Sequence, residues 1–376
     1  MKIISVSYWD KKRNWGFRNF RPNDDLTMLV GASGVGKTKV LDAIENIKNI
    51  ALGRSDKDFS GLIWDIAFVI DNNTYNWNGE FAIVPQSEFN VDANVNRVIR
   101  ETIKKSGSTI IKREDDYIDY NGVRIKLDQS KSIVNLINED SFRLIRAGFD
   151  SIREKRDEVD FFYTCLRVFD CHDPIFKGAI NQIIIKACQN IPTLIFIAGS
   201  IEGSESYKNI KEKFTNIFPT VEDIRVVFSD ENDEEYRKDS TILQIKERGV
   251  DNWISHKDIS AGMVKTLYYL CQTEFAAEGT VILIDEIENS LGVNCIRDIA
   301  DEITASNRNI QFIITSHHPY IINNVDAEYW QILTRKGGEV EFNTAQDLEI
   351  GGSRLTLFTQ LSNSSAFITG QREVRE

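Results

Sequence analysis

Gly31-Ala32-Ser33-Gly34-Val35-Gly36-Lys37-Thr38 fits the pattern G-x-x-x-x-G-K-[ST]. Its neighbours supply the context the pattern needs. Leu26-Thr27-Met28-Leu29-Val30 is a short apolar run that reads as a buried strand. After the loop, Leu41, Ile44, Ile47 and Ala51 recur at helical spacing, and Gly53 follows as a stop. Strand, glycine loop and helix come in that order. Glycines let the backbone curl so that successive N–H groups point at phosphate oxygens. The helix that follows adds its positive N-terminal end. Lys37 is placed to reach β- and γ-phosphates, and the Thr38 hydroxyl to ligate Mg²⁺.

Two late segments complete the same sheet. Thr280-Val281-Ile282-Leu283-Ile284 and Gln311-Phe312-Ile313-Ile314-Thr315 are continuous apolar runs, as a parallel strand covered on both faces requires. The stretch from Cys295 to Ala305 between them reads as helical, which makes a βαβ unit. The first run ends in Asp285-Glu286. Asp285, at a strand's carboxyl end beside the phosphate loop, is the candidate Mg²⁺ carboxylate. Glu286 is the candidate for polarising an attacking water.

The remaining stretches are read more coarsely. Met1 to Val6 alternates like a strand that Tyr8-Trp9-Asp10 breaks. Residues 62–128 look strand-rich, with a turn at Asp71-Asn72-Asn73 and hairpins at Asn78-Gly79 and Asn121-Gly122. From 131 to 190 the pattern turns helical, and Thr193 to Ala198 reads as a strand. Residues 202–240 are polar and acidic and read as a solvated loop. Gln86 and Gln129 are both candidates for a glutamine that senses Mg²⁺, and Gln129 is preferred because a helical insert follows it. Trp15 and Phe17 are either adenine contacts or core. Cys171-His172-Asp173 lacks a second ligand pair and is not read as a metal site.

Composition narrows the function. A net charge of −12 does not favour non-specific nucleic-acid binding, which needs clustered Lys and Arg. Five cysteines with no C-x-x-C pair read as free thiols of a reducing cytosol. No stretch approaches the roughly 18 apolar residues of a membrane span, and Met1 to Asp10 lacks the apolar core of a signal peptide. A cytoplasmic protein without a membrane role is expected. Asp56-Lys57-Asp58, the D-x-D of the chain, follows a helix and not a strand, so a built-in nuclease is not expected.

Ile259-Ser260-Ala261-Gly262-Met263, followed by a helical run, resembles the ABC signature L-S-G-G-Q, and Thr315-Ser316-His317 resembles the switch-histidine motif. Lys37, Ser260, Asp285, Glu286 and His317 thus fall in the chain order of ABC and SMC-like ATPases. The motifs also resemble those of the ATPase subunits of bacterial anti-phage systems of the Septu, PARIS and retron type. Departures are Ala261, Met263, Ser33 and the stretch Ile287 to Leu291. The resemblance implies an α/β fold of the P-loop, ABC-ATPase type. It has a mixed central sheet with helices, an antiparallel β subdomain and a short helical insert. The cofactors it implies are ATP and Mg²⁺. Gly31, Ser33, Gly34, Val35, Gly36, Lys37, Thr38, Lys39, Gln129, Ser260 and Gly262 would bind nucleotide, with Thr38 and Asp285 on the metal. Glu286 and His317 would serve catalysis. It further implies a head-to-tail dimer in which Ser260 of one copy meets the nucleotide on Lys37 of the other.

The expected organisation is an N-terminal ATPase half over 1–130, a helical lid and connecting segment over 131–250, a C-terminal half over 251–345, and a tail of unassigned role over 346–376. The insert allows helical arms of at most ~30 residues, or roughly 45 Å, too short for a chromosome-tethering arm. The leading expectation is an ATPase subunit, homodimeric or a higher homo-oligomer, that controls a separately encoded nuclease or toxin. The alternatives are a DNA-repair ATPase, with nucleic acid a partner the charge does not indicate, an ATP-clamped scaffold, and a transporter ATPase.

Overall fold

The computed structural model describes residues 1–54, 57–84, 96–120, 122–153, 204–228, 241–289, 308–352 and 354–372, with 195, 199, 295, 298, 302 and 303. It divides into two compact units. The first takes Met1–Lys155, Glu278–Ile287 and Asn307–Glu376, and the second Arg156–Ala277 and Glu288–Ser306.

In chain order, the first unit opens with β1 (Lys2–Asp10), β2 (Trp15–Phe20), β3 (Leu26–Val30) and helix α1 (Lys37–Leu52). Six strands follow: β4 (Leu62–Ile70), β5 (Asn73–Phe81), β6 (Val98–Lys105), β7 (Ser108–Glu114), β8 (Tyr117–Tyr120) and β9 (Val123–Lys126). Helices α2 (Ile133–Leu136) and α3 (Asp140–Asp150) come next. The second unit contributes α4 (Glu205–Ile217), β10 (Val221–Phe228), β11 (Thr241–Glu247), β12 (Trp253–Ser255) and α5 (Ala261–Glu274). The chain then returns to the first unit with β13 (Val281–Ile284), β14 (Gln311–Thr315), α6 (Pro319–Asn324), β15 (Trp330–Lys336), β16 (Glu339–Asn343), α7 (Arg354–Asn363) and α8 (Ser365–Ile368).

The first unit is an α/β structure on one large mixed sheet. Among the described residues its order is β13-β14-β3-β15-β16-β2-β1-β4-β5-β6-β7-β8-β9. β13, β14, β3 and β15 run parallel, and every residue of β13, β14 and β3 is buried. That is why these strands carry apolar residues on both faces. From β1 through β4 to β9 the pairs are antiparallel. α1 buries Val40, Leu41, Ala43, Ile44, Ile47, Ile50 and Ala51. It ends at Gly53, whose φ of 64° is the left-handed cap a glycine favours. Lys48, also buried on α1, donates to the Ile152 carbonyl at 2.8 Å and so ties α1 to the end of α3.

Several expectations are corrected. β1 continues through Tyr8-Trp9-Asp10, because β2 on one side and β4 on the other pair with it to its end. Asn78-Gly79 is not a turn. Gly79 lies inside β5 opposite Trp64, whose indole covers it so closely that any side chain would collide. The turn between β4 and β5 falls where it was expected, at Asp71 and Asn72, with φ of 48° and 61°. Ile195 has helical backbone where a strand over 193–198 was expected, and so does Gly199 just beyond it.

Within 202–240, α4 and β10 replace the expected loop. Ser204 caps α4 by accepting from the Tyr207 amide at 3.4 Å, and Ile210 and Phe214 bury its inner face. The acidic run at 230–235, the 154–190 part of the insert, Gln86, Asp56, Asn121 and the Cys171-His172-Asp173 cluster lie outside the described residues. In the second unit α4 packs on α5, with Asn209 donating to Glu274 at 3.3 Å. β10, β11 and β12 form a separate antiparallel sheet. No described helix is long and apolar enough to cross a membrane.

Candidate functional site

The phosphate loop joins β3 to α1 in a conformation its glycines make possible. Gly31 has φ 147° and lies where a Cβ would come 2.8 Å from the Leu333 carbonyl. Gly36 has φ 120° and packs against Val340 and Trp15. Gly36 is also the N-cap of α1, and no side chain caps the helix. An uncapped N-terminus carries orphan amides and positive potential, which suits a phosphate group. Ser33 and Gly34 are exposed at the loop's tip, while Val35 is buried and its amide donates to the Ala32 carbonyl at 3.3 Å. Lys37 folds back over the loop, donating to the carbonyls of Gly31 at 2.8 Å and Ala32 at 3.1 Å.

Parallel order brings the carboxyl ends of β13, β14 and β3 together. The Thr38 hydroxyl consequently donates to Asp285 Oδ1 at 3.1 Å although 247 residues separate them. The Thr315 hydroxyl donates to the same oxygen at 2.7 Å. It also accepts from the Glu286 amide at 2.7 Å, and the Ile287 amide donates to the Thr315 carbonyl at 3.2 Å. Asp285 is half-buried, Glu286 is exposed, and Glu286 has φ 45°. A hydroxyl and a carboxylate oxygen are hard donors, and Mg²⁺ takes such oxygens beside substrate phosphates. The donor set therefore fits a magnesium nucleotide.

The other expected residues fall as follows. His317 is exposed just beyond β14, two residues from Thr315, in the same unit as Lys37 and Asp285. His318 caps α6, its Nδ1 accepting from the Tyr320 amide at 3.2 Å. Lys39 sits over the Trp15 ring at 5.1 Å, and Trp15 is only 5 % exposed. Trp15 therefore packs beneath the loop and its face is closed to an adenine ring. Ser260 and Gly262 belong to the second unit. Exposed Ser260 caps α5, accepting from the Met263 amide at 3.3 Å, and the Gly262 carbonyl accepts from Thr266 at 2.8 Å.

Gln129 is a correction. Its carbonyl accepts from the Val98 amide at 2.8 Å. The adjacent Ser130 lines a cleft with Asn49, Ile50 and Gly53, at the far end of α1 from Lys37. A 16-residue helix is ~24 Å long, so Gln129 cannot sense a metal at Thr38.

Three features of this region escape a reading of the sequence. Thr315 is the hub just described, which the sequence marks only as the first residue of the Thr315-Ser316-His317 stretch. Arg153 pairs in parallel beside Ile282, with its amide donating to Val281 at 2.7 Å and its carbonyl accepting from Leu283 at 3.1 Å. The chain leaving α3 thus runs along the outer edge of β13. Third, the tail reaches the phosphate loop. The Gly370 carbonyl accepts from the Arg335 amide at 2.7 Å, and Gly370 lies against Ala32 and Val35. No local pattern announces that contact.

Comparison with known proteins agrees with this construction. Residues 194–323 match the family described as AAA domain, putative AbiEii toxin, Type IV TA system. That stretch holds Ser260, Asp285, Glu286 and His317. Together with the phosphate loop and the parallel strand order, it defines an α/β P-loop ATPase fold. No curated protein matches the chain.

Among solved structures, one similar chain is an SMC head bound to the C-winged helix domain of ScpA. It has TM-score 0.49 and 16 % identity, with 93 % of this chain and 99 % of that chain covered. The SMC head domain from Thermotoga maritima gives 0.42 and 13 %, covering 92 % and 99 %. An Smc head with an extended coiled coil, bound to the C-terminal domain of ScpA derived from Pyrococcus furiosus, gives 0.43 and 13 %, covering 93 % and 98 %.

Proposed function

We propose that this chain binds and hydrolyses ATP as a nucleotide-sandwich dimer, and acts as the regulatory subunit that controls a partner effector in bacterial anti-phage defence. The observation that carries the ATPase reading is the hydrogen bond between Thr38 and Asp285, which joins the end of the phosphate loop to a strand-end carboxylate at 3.1 Å. The defence reading is supported by the family match, whose description refers to a toxin of a toxin–antitoxin system.

Each residue then has a chemical task. The α1 amides and Lys37 hold the β- and γ-phosphates. Thr38 and Asp285 would hold Mg²⁺, which would neutralise the charge that builds up as the bond from the γ-phosphorus to the leaving ADP oxygen breaks. Glu286, exposed beside them, accepts a hydrogen bond from the attacking water and raises its nucleophilicity. His317, at the end of the neighbouring strand, donates toward the γ-phosphate. Ser260 of a second copy, with the amides of the helix it starts, closes the outer face of that phosphate. Two-fold symmetry then gives two equivalent sites per dimer.

The test is Glu286→Gln. The amide keeps the shape of the side chain and loses its charge. The variant is expected to bind Mg-ATP at parental affinity, to hydrolyse it slowly, and to accumulate as a dimer by light scattering. Hydrolysis at the parental rate would remove Glu286 from the reaction. A monomer with ATP bound would remove the sandwich.

A further inference from the structure

We propose that Thr315 is a positioning residue of the nucleotide site, one buried hydroxyl that sets the aim of Asp285 and the backbone of Glu286 together. The inference rests on the ATPase reading above and deepens it.

Thr315 closes β14, the strand between β13 and β3, and is 0 % exposed. A hydroxyl has one proton to give and lone pairs to accept. Here both functions are used, and on adjacent residues. The proton goes to Asp285 Oδ1 at 2.7 Å, and a lone pair takes the Glu286 N–H at 2.7 Å. The Thr315 carbonyl takes the Ile287 N–H at 3.2 Å. Three successive residues after β13 are therefore pinned to one residue of β14.

The pinned segment needs holding. Glu286 has φ 45°, a left-handed conformation disfavoured for any residue with a Cβ. Such backbone persists only where its surroundings over-determine it. The Thr315 hydroxyl and carbonyl are those surroundings, and the conformation decides where the Glu286 carboxylate projects. Asp285 Oδ1 accepts from two hydroxyls, Thr38 at 3.1 Å and Thr315 at 2.7 Å. Thr38 is the exposed one, available to a metal, whereas Thr315 is enclosed in the sheet. When Thr38 turns to a metal, Thr315 still orients the carboxylate. The side chain types agree: Phe312, Ile313 and Ile314 precede Thr315 in β14, and strand packing alone would be met by valine at its end.

The experiment compares Thr315→Val, which keeps the branched shape, with Thr315→Ser, which keeps the hydroxyl. ATP binding in EDTA, the Mg²⁺ concentration for half-maximal hydrolysis, and kcat are measured for each on the full chain. T315V is expected to keep metal-free ATP binding, which the phosphate loop supplies. Its Mg²⁺ requirement should rise and its kcat fall about 10- to 100-fold, the usual scale for a small misplacement of catalytic groups. T315S should recover most of both. Parental kcat and Mg²⁺ requirement in T315V would overturn the assignment. So would T315S as impaired as T315V, because the lost methyl would then be the cause. A parent chain with no ATP binding at all would instead bring down the ATPase reading itself.

Discussion

Replacing Lys37 by alanine removes a cation that the structure shows already engaged. Its ammonium group donates to the Gly31 and Ala32 carbonyls at 2.8 and 3.1 Å. Nucleotide binding therefore exchanges two bonds to neutral carbonyls for bonds to charged phosphate oxygens. Only the difference contributes to affinity. A hydrogen bond with one ionised partner is roughly twice as strong as a neutral one and contributes about 1.5–3 kcal/mol, and the phosphate's own charge adds direct Coulomb attraction to the ammonium group. Taking the excess as about 1.5 kcal/mol for each of two bonds gives about 3 kcal/mol, roughly a hundredfold in Kd. Isothermal titration of Mg-ATP into parent and Lys37→Ala chains reads this directly. The half-buried loop bonds are a smaller matter for the fold, so the melting temperature should fall by no more than about 2–4 °C. Undiminished affinity in Lys37→Ala would refute the reasoning, as would a Kd loss accompanied by global unfolding.

Two further tests follow from the structure. Ser260→Arg removes the cap of α5, worth about 0.5–2 kcal/mol, so the variant should fold. It should nevertheless be inactive alone, and a mixture with inactive Lys37→Ala chains should regain partial ATPase activity, because mixed dimers of the proposed sandwich would hold one intact composite site; parental activity of Ser260→Arg alone would remove that residue from the site. In the β subdomain, Glu101 and Arg113 form a fully buried pair at 3.7 Å, and Trp77, Ser132 and the Ile133 amide also donate to Glu101. Burial pushes the Glu101 carboxyl up and the Arg113 guanidinium down, each opposed by the other's charge. Glu101→Ala leaves a buried cation without its counter-ion, which costs about 3–5 kcal/mol, so the melt should shift down by about 6–20 °C. A parental melting curve would show that the pair is not needed.

How much was legible in the sequence depended on whether the information was local. The phosphate loop is a contiguous motif, and β13 and β14 declare themselves by unbroken apolar runs. The hairpin misplaced at Asn78-Gly79 shows the reverse case. The dipeptide is a turn signal in isolation, and only the partner strand, with Trp64 opposite, reveals that the glycine makes room for an indole. α4 reads as loop because its charges outnumber Ile210 and Phe214, the two residues it buries. The place of Gln129 is not legible, because a position in the chain says nothing about which end of α1 it will face. Thr315 is not legible because its three partners all lie in the segment that follows β13, about thirty residues away along the chain.

The flanks of β3 carry one more consequence, for the time at which the site comes into being. β3 lies between β14 and β15, and both are made long after it. The ribosome must add roughly 280 residues after Val30 before β14 begins, which at about 5–20 residues per second takes on the order of 15–60 s. Through that interval the nascent chain carries the phosphate loop on a strand whose two neighbours do not yet exist. Asp285 is translated before β14, but without β14 it has no Thr315 to hold it beside Thr38. The complete magnesium site therefore comes into being only after β14 has been made.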